Sequence, residues 1–201
     1  MRKAMTLLIV FVSVSNCLSQ TALEYFVSAV AKKDLNNYGG AITDYTRAIT
    51  LAPKVPQFYF FRGMAKIQLK DVRGAIEDFN VVIELDPADA LTYHARGTAK
   101  YTLGDYKGAI VDYTESITAG IYDPELYYSR GLAKFKLDHV RGSILDFSKS
   151  ILLDPDFAPA YRNRGISKFL LRDKNGACMD WSKAGELGDE EAYDFIKESC
   201  Q

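Results

Sequence analysis

Tyrosine recurs at a strict 34-residue interval along this chain, at Tyr25, Tyr59, Tyr93, Tyr127 and Tyr161. Columns of lysine, leucine, glycine and aspartate keep the same step without an insertion. A period of this length indicates a helical solenoid, in which each unit buries its apolar face only by stacking on its neighbours. Counted from three residues before each tyrosine, the units are 22–55, 56–89, 90–123, 124–157 and 158–191.

Each unit has two apolar-periodic halves separated by a short break, which predicts a helix hairpin. In the third unit the halves are 93–103 and 106–117, and Gly104-Asp105 lies between them. Prolines near the unit ends predict the connections between hairpins, and Asp123-Pro124 predicts an N-cap followed by a first-turn proline.

Small residues at positions 8 and 20 of the unit predict a close approach of the two helices. The position-8 residues are Ala29, Gly63, Gly97, Gly131 and Gly165. An aromatic residue at position 24 is expected to fill the seam beside them. The position-24 residues are Tyr45, Phe79, Tyr113, Phe147 and Trp181.

These positions carry a resemblance to the tetratricopeptide repeat family, and the sub-pattern Arg-Gly-x-Ala-Lys, Leu-Gly-Asp and Gly-Ala-Ile-x-Asp-Tyr, clearest at 96–113, resembles its bacterial members. The family pattern has an aromatic residue at position 4, small residues at 8, 20 and 27, an aromatic residue at 24 and proline at 32. The resemblance covers residues 22–191. The chain departs from the pattern at Ile121 and Asp189, where proline is missing, and at Ser28-Ala29, where later units have Arg-Gly.

The resemblance implies an all-α fold, a right-handed α-solenoid of five helix-turn-helix repeats. The segment of about 190–200 reads as a C-terminal capping helix with an acidic first turn and one apolar face. Phe195 lies 34 residues after Tyr161, so it repeats the position-4 aromatic residue once more.

The first residues have a different composition from the repeats. Arg2 and Lys3 precede an apolar run, and small and polar residues follow it. This order is typical of a secretory signal peptide, and the run is too short to span a bilayer. We expect a signal at 1–19, a mature domain at 20–201, and an exported location that is periplasmic or secreted. A lipoprotein anchored through Cys17 is the alternative.

Charge and motif content argue against nucleic-acid binding and catalysis. The net charge is −1, with 25 basic and 26 acidic residues, and loss of Arg2 and Lys3 would leave the chain more acidic, so a nucleic-acid surface is not expected. The only histidines are His94 and His139, and no hydrolase, zinc-protease or nucleotide-binding motif is present. We expect no enzymatic activity, no cofactor and no metal site.

The aspartate column is interpreted as part of an alternating-sign ladder of charges along the solenoid. A carboxylate array that binds metal or performs acid–base chemistry is the less favoured alternative.

The resemblance places a peptide-binding groove at positions 2, 5, 9 and 12 of the first helices. Here these positions are mostly apolar or aromatic, which suits a partner helix or an apolar peptide. For position-12 residues such as Tyr101, packing between adjacent first helices is the favoured alternative. The candidate groove residues are Phe26, Phe60, Met64, His94, Tyr101, Tyr128 and Arg162.

Cys178 and Cys200 are the only cysteines that remain after removal of the signal. An oxidising compartment and an even count favour a disulfide between them. Cys178 takes the place of an isoleucine that faces the next unit, and Cys200 lies on the helix that replaces that unit. The alternative is that Cys178 and Cys200 are free thiols.

The sequence therefore predicts a protein–protein interaction module in the cell envelope, with an unidentified protein or peptide partner and no membrane span in the mature chain. A structural scaffold that forms homo-oligomers is the competing hypothesis.

Overall fold

The computed structural model describes residues 20–200, so the predicted signal peptide and Cys17 lie outside the described residues. The described residues contain helices and turns and no strand. The chain is helical from residue 20 to residue 34 (α1). The following helices are α2 (Tyr38–Leu51), α3 (Pro56–Gln68), α4 (Val72–Leu85), α5 (Ala90–Thr102), α6 (Tyr106–Thr118), α7 (Pro124–Lys136), α8 (Val140–Leu153), α9 (Ala158–Leu170), α10 (Lys174–Glu186) and α11 (Glu190–Ser199).

Helix contacts divide the chain into two compact units. Unit 1 ends at Thr92 and contains α1–α4, and unit 2 begins at Tyr93 and contains α6–α11 with most of α5. Within each unit, consecutive helices pack as hairpins, as the two apolar halves of each repeat predict.

The turn inside every hairpin has the same backbone conformation. Its position-15 residue is left-handed, with φ between 58° and 81°, at Asn36, Lys70, Gly104, Asp138 and Arg172. In the second repeat the Lys70 amide donates to the Ile67 carbonyl and the Asp71 amide to the Lys66 carbonyl, both at 2.9 Å. These two bonds form a Schellman motif, which satisfies the last carbonyls of the first helix.

The residue after this left-handed position caps the second helix. Four of the five repeats have Asn37, Asp71, Asp105 or Asp173 there, and each side chain accepts a hydrogen bond from the amide of the glycine three residues later. The glycine column is explained by this contact, because a Cβ at Gly108 would lie 2.2 Å from Oδ2 of Asp105. The fourth repeat has His139, whose side chain makes no cap hydrogen bond.

The second helix of a repeat ends in one of two ways. Where proline follows, at Pro53, Pro87 and Pro155, the preceding residue is extended and the helix stops. The two repeats without that proline instead use a left-handed glycine, Gly120 with φ 102° and Gly188 with φ 92°. The departures from the repeat pattern at Ile121 and Asp189 thus replace one helix terminator with another.

The predicted close approach of glycine and aromatic residue is confirmed in four hairpins. A Cβ at Gly63 would lie 2.7 Å from the Phe79 ring, and one at Gly165 would lie 2.6 Å from Trp181. The aromatic side chains of this column are buried. In these four repeats glycine is favoured at position 8 because the ring occupies the space that a side chain would need.

The aspartate column is buried inside the hairpins, where each carboxylate pairs with basic side chains of the first helix, in keeping with the interpretation as an alternating-sign ladder of charges. The carboxylate of Asp78 accepts hydrogen bonds from Nε and Nη2 of Arg62 at 3.0 and 2.6 Å. Nζ of Lys66 lies 2.9 Å from Oδ2 of the same carboxylate. The same three-residue arrangement recurs at Asp112, Asp146 and Asp180. The two helices of each hairpin bring these charged residues together as a compensated buried group.

Helix α11 covers the last hairpin. Phe195 stacks on Trp181 with ring centroids 5.1 Å apart, and the Tyr193 hydroxyl donates to the Gly185 carbonyl at 3.1 Å. Cys178 and Cys200 are joined by a disulfide, with their Cα atoms 5.8 Å apart. This helix takes the place that the first helix of a further repeat would occupy, as the capping hypothesis requires.

Candidate functional site

Unit 1 contains a depression lined by two of the candidate groove residues, Phe60 and Met64. Its volume is ≈ 400 Å³, which is within the usual size range of ligand pockets. The remaining lining residues are Lys33, Asp34, Asn36, Tyr38, Phe61, Ala65 and Gln68.

The floor of this depression is aromatic. Phe60 meets Phe61 edge-on at 5.5 Å between ring centroids and also contacts Phe79 at 5.9 Å. These contacts leave Phe60 half-buried, so it belongs both to the site and to the packing of its hairpin. Met64 is 36% exposed and presents a flexible apolar side chain to the opening.

Polar groups form the rim of the depression. Nζ of Lys33 lies 6.0 Å from the Phe61 ring centroid and 3.1 Å from Oδ1 of Asp34. The Tyr38 hydroxyl donates to Oδ1 of Asn36 at 2.9 Å. Asn36 has the left-handed backbone of the hairpin turn, which places its side chain at the rim. The arrangement combines an apolar floor with groups that can hydrogen bond to a bound chain.

Phe26, the other candidate in unit 1, packs mainly into the core. Its ring contacts Phe58, Phe61 and Tyr45 at centroid distances of 5.2, 5.5 and 5.8 Å. It also lines a second depression of ≈ 710 Å³ beside residues 20–23. The depression that contains Phe60 and Met64 is the better candidate site, because it combines two predicted groove residues with a polar rim.

The candidates of unit 2 are engaged in contacts within that unit. Tyr128 packs between Phe147 and Phe157, and its hydroxyl accepts from Nδ2 of Asn163 at 3.0 Å. Burial is the main cause that raises the pKa of Tyr128. Tyr101 packs on Tyr106 of its own repeat at 5.2 Å and against the buried cluster that contains Ala133 of α7.

His94 and Arg162 also have partners within unit 2. The ring centroids of His94 and Tyr113 lie 5.9 Å apart. Burial lowers the pKa of His94, although the nearby carboxylates of Asp123 and Glu125 act in the opposite direction and raise it.

Nη1 of Arg162 lies 3.0 Å from Oδ1 of Asp189 and 2.6 Å from Oε2 of Glu191. Because Asp189 and Glu191 stand at the start of α11, the charge of Arg162 holds the capping helix in place.

Sequence reasoning missed several lining residues of the unit 1 depression, among them Lys33, Asn36 and Tyr38. They lie at the end of α1, in the turn after it and at the start of α2, outside the family's groove positions, and they line the depression together with residues of α3. The available sequence signal for this turn was the Asn36-Asn37 pair in the break between the two apolar halves of the first repeat.

Among residues 20–200, no cluster of three or more histidine, cysteine or acidic side chains is arranged to hold a metal ion. None of the helices in that range has the length and apolar content needed to cross a bilayer.

Comparison with known proteins gives both a repeat family and a fold. A tetratricopeptide repeat family model matches residues 25–55 and 56–89. No curated protein matches the chain.

A crystal structure of MamA superposes with a TM-score of 0.81 at 22% identity, covering 87% of this chain and 95% of that one. The MamA structure from Desulfovibrio magneticus RS-1, which starts at residue 41, gives 0.80 at 21% identity, with 83% and 94% covered. YrrB, described as a TPR protein with an unusual peptide-binding site, gives 0.80 at 18% identity, with 88% and 92% covered. These similarities show the predicted all-α repeat fold.

Proposed function

Because the chain is a tetratricopeptide repeat protein, we propose that it is a protein–protein interaction module whose unit 1 depression takes an apolar side chain of a peptide or partner helix. The single observation that carries this proposal is the aromatic depression containing Phe60 and Met64. The description of YrrB as a protein with a peptide-binding site supports the class of function.

The chemistry of the depression indicates the kind of residue it accepts. Its floor of Phe60, Phe61 and Met64 favours a bulky apolar side chain, because burial of such a side chain yields roughly 1.5–3 kcal/mol. The amides of Asn36 and Gln68 at the rim can hydrogen bond to the backbone of the bound segment. A buried apolar anchor with a polar rim is the usual arrangement of an interaction hot spot.

The proposed cellular setting is the envelope, and the proposed mode of action is non-enzymatic. Both rest on the sequence: the order of basic, apolar and small residues in 1–19 supports export, and the lack of catalytic motifs supports binding without turnover. A scaffold that forms homo-oligomers is the alternative, and light scattering of the mature chain distinguishes it, because a monomer favours the binding module.

The binding proposal is tested with random peptides displayed on phage and selected on the chain that starts at residue 20. Selected peptides are expected to share a bulky apolar residue. Binding of a labelled selected peptide is then measured by fluorescence polarisation. Met64→Lys should weaken it by about tenfold or more, because the charge enters an apolar hot spot. Met64 is a better choice than Phe60, whose loss would also disturb the contact with Phe79.

Leu170→Lys is the matched control, since Leu170 is an exposed apolar residue of unit 2 outside the depression. It should leave peptide binding unchanged, and circular dichroism should show equal helicity in both variants. Unchanged peptide affinity of Met64→Lys, or selected peptides without a bulky apolar residue, would contradict the proposed site.

A further inference from the structure

Unit 2 carries a set of protruding apolar side chains that the proposed peptide site does not use. Position 22 of three successive repeats is Val111, Leu145 and Met179, with 58%, 72% and 73% of each residue exposed. Leu152, seven residues after Leu145 on α8, is 71% exposed. Residues seven apart lie on the same side of a helix, so α8 presents two leucines in one direction.

The fold does not require apolar residues in this column. The equivalent positions in unit 1 are Thr43 and Glu77, which are polar and exposed. The apolar column is therefore confined to α6, α8 and α10, and its presence there needs an explanation other than packing.

Basic side chains accompany these apolar residues on the same helical stripes. On α8, Arg141 precedes Leu145 by one turn and Lys149 follows it by one turn. Lys107 precedes Val111 on α6, and Lys183 follows Met179 on α10. The stripes also contain two acidic residues, Glu115 and Glu186, and the latter lies 3.5 Å from Nζ of Lys183. The four basic residues thus exceed the acidic ones. We call the surface formed by Lys107, Val111, Arg141, Leu145, Lys149, Leu152, Met179 and Lys183 the basic–apolar face.

We propose that the basic–apolar face of unit 2 is a docking surface for an anionic lipid membrane. Leucine and methionine side chains would enter the boundary between headgroups and acyl chains, while lysine and arginine would contact the lipid phosphates. The long basic side chains can reach outward while their methylene stems lie along apolar surface. This inference concerns peripheral contact and is independent of the peptide site in unit 1.

Charge favours a membrane over a second copy of the chain. A twofold dimer through this face would set the excess basic residues of one copy against those of the other, and like charges across an interface oppose association. An anionic bilayer supplies the opposite charge. The apolar side chains also stand out from the helices, which suits insertion into a soft lipid boundary.

The test is sedimentation of the chain that starts at residue 20 with vesicles of phosphatidylglycerol mixed with phosphatidylcholine. Binding is expected to these vesicles, and it should be weaker with pure phosphatidylcholine and in high salt. Arg141→Glu with Lys149→Glu should reduce binding by at least about tenfold, because each basic residue near an anionic surface contributes a several-fold gain. Leu145→Ser with Leu152→Ser should also reduce vesicle binding, because the two leucine side chains can then no longer enter the apolar boundary of the bilayer.

Arg73→Glu is the matched control. Arg73 occupies position 18 of the second repeat, equivalent to Arg141, but the residue that follows it at position 22 is Glu77. This variant should keep full vesicle binding, and circular dichroism should show that all variants are folded.

The proposal is overturned if the unmodified chain fails to sediment with anionic vesicles, or if Arg73→Glu loses as much binding as the double reversal. It is also overturned if light scattering shows a dimer that Leu145→Ser with Leu152→Ser dissociates, because the face would then bind a second copy. Peptide binding by the same variants stays at its unmodified level if the two sites are separate, so a failure here is distinguishable from failure of the proposed function.

Discussion

Asp44 is the buried carboxylate of the first repeat, and its partners differ from those of the later repeats. Where later repeats have arginine at position 7, this one has Ser28, whose hydroxyl donates to Oδ2 of Asp44 at 2.7 Å. Lys32 pairs with the same carboxylate, and Arg47 contacts it at 3.2 Å. The hydrogen bond from Lys32 is the largest effect and lowers the pKa of Asp44, although burial opposes the shift.

Acid should remove the contribution of this ion pair to the stability of unit 1. The folded-state pKa of Asp44 lies below the unfolded value of about 3.9, so the unfolded chain binds more protons between the two. The stabilisation is fully present above about pH 5 and is lost as the pH falls through the folded-state pKa. Lys32→Met should therefore lower the thermal midpoint at about pH 7, and by progressively less as the pH falls below the unfolded-state value of about 3.9.

The expected loss at neutral pH is about 1 kcal/mol, because the lysine is partly exposed and solvent screens the pair. Thermal unfolding followed by circular dichroism measures it. Asp44→Asn tests the assignment in a second way, since it should reduce the pH dependence of the midpoint in the same range. A difference between Lys32→Met and the unmodified chain that stays constant down to about pH 3 would contradict this explanation.

The left-handed residue of the hairpin turn is a non-glycine residue in four of the five repeats. Lys70 has φ 62° and Gly104, at the same position of the next repeat, has φ 81°. A non-glycine residue pays roughly 1–2 kcal/mol for this backbone conformation. Lys70→Gly is therefore expected to stabilise the chain by about 0.5–1 kcal/mol, and Gly104→Ala to destabilise it by a similar amount, both measured by urea unfolding. Destabilisation by Lys70→Gly would show that the lysine side chain contributes more than the backbone cost.

Among the second helices of the five repeats, α8 is the one whose N-cap side chain makes no hydrogen bond. Its N-cap residue, His139, has φ −80° and ψ 56°, close to the −79° and 71° of Asp105 on α6. Asp105 accepts a hydrogen bond from the Gly108 amide, whereas the side chain of His139 makes no equivalent bond. The backbone is therefore already arranged for a capping side chain that is missing.

His139→Asp should supply this cap. The change is expected to stabilise the chain by about 1 kcal/mol, since a carboxylate at an N-cap bonds an unpaired amide and interacts favourably with the helix dipole. Asp105→Ala is the reciprocal change and should cost a comparable amount. Urea unfolding of the two variants and the unmodified chain measures both effects, and an unchanged midpoint for His139→Asp would mean that solvent already satisfies the start of α8.

The helices themselves could be predicted from the sequence because their signals are local. The apolar period, the prolines and the glycine–aromatic pairs act within one hairpin, and the observed helices follow these signals. The partners of Arg162 could not be predicted, because Asp189 and Glu191 lie 27 and 29 residues away and belong to the cap. The rim of the candidate site was missed for a similar reason, since it depends on how a turn packs against the next repeat.

The N-terminus of the mature chain is a prediction from sequence. The basic, apolar and small-residue order of 1–19 leads us to expect a mature protein that starts at Gln20. Intact-mass measurement of exported material decides between the alternatives. A start at Cys17 with an added lipid mass would instead show a lipoprotein, which would hold the chain at a membrane by a route separate from the basic–apolar face.

The disulfide sets how the end of the chain unfolds. Cys178 on α10 and Cys200 after α11 are separated by 22 positions. Closing a loop of this length stabilises a chain by about 3 kcal/mol in the chain-entropy model. Because a repeat protein is stabilised by contacts between neighbours, the loss on reduction should appear first at α11 and spread from there. Phe195 and Tyr193, which hold α11 through Trp181 and Gly185, should keep part of the helix docked.

Hydrogen exchange measured by mass spectrometry, with and without reductant, resolves this prediction along the chain. Reduction should increase exchange in α11 and the end of α10, with little change in unit 1. Cys178→Ser with Cys200→Ser should reproduce the reduced pattern and respond no further to reductant, which separates loss of the bond from other effects of the reagent. Peptide mapping under non-reducing conditions establishes the bond in exported protein. Free thiols in that material, or identical exchange in α11 before and after reduction, would show that the packing of Phe195 and the ion pairs of Arg162 hold the cap without the disulfide.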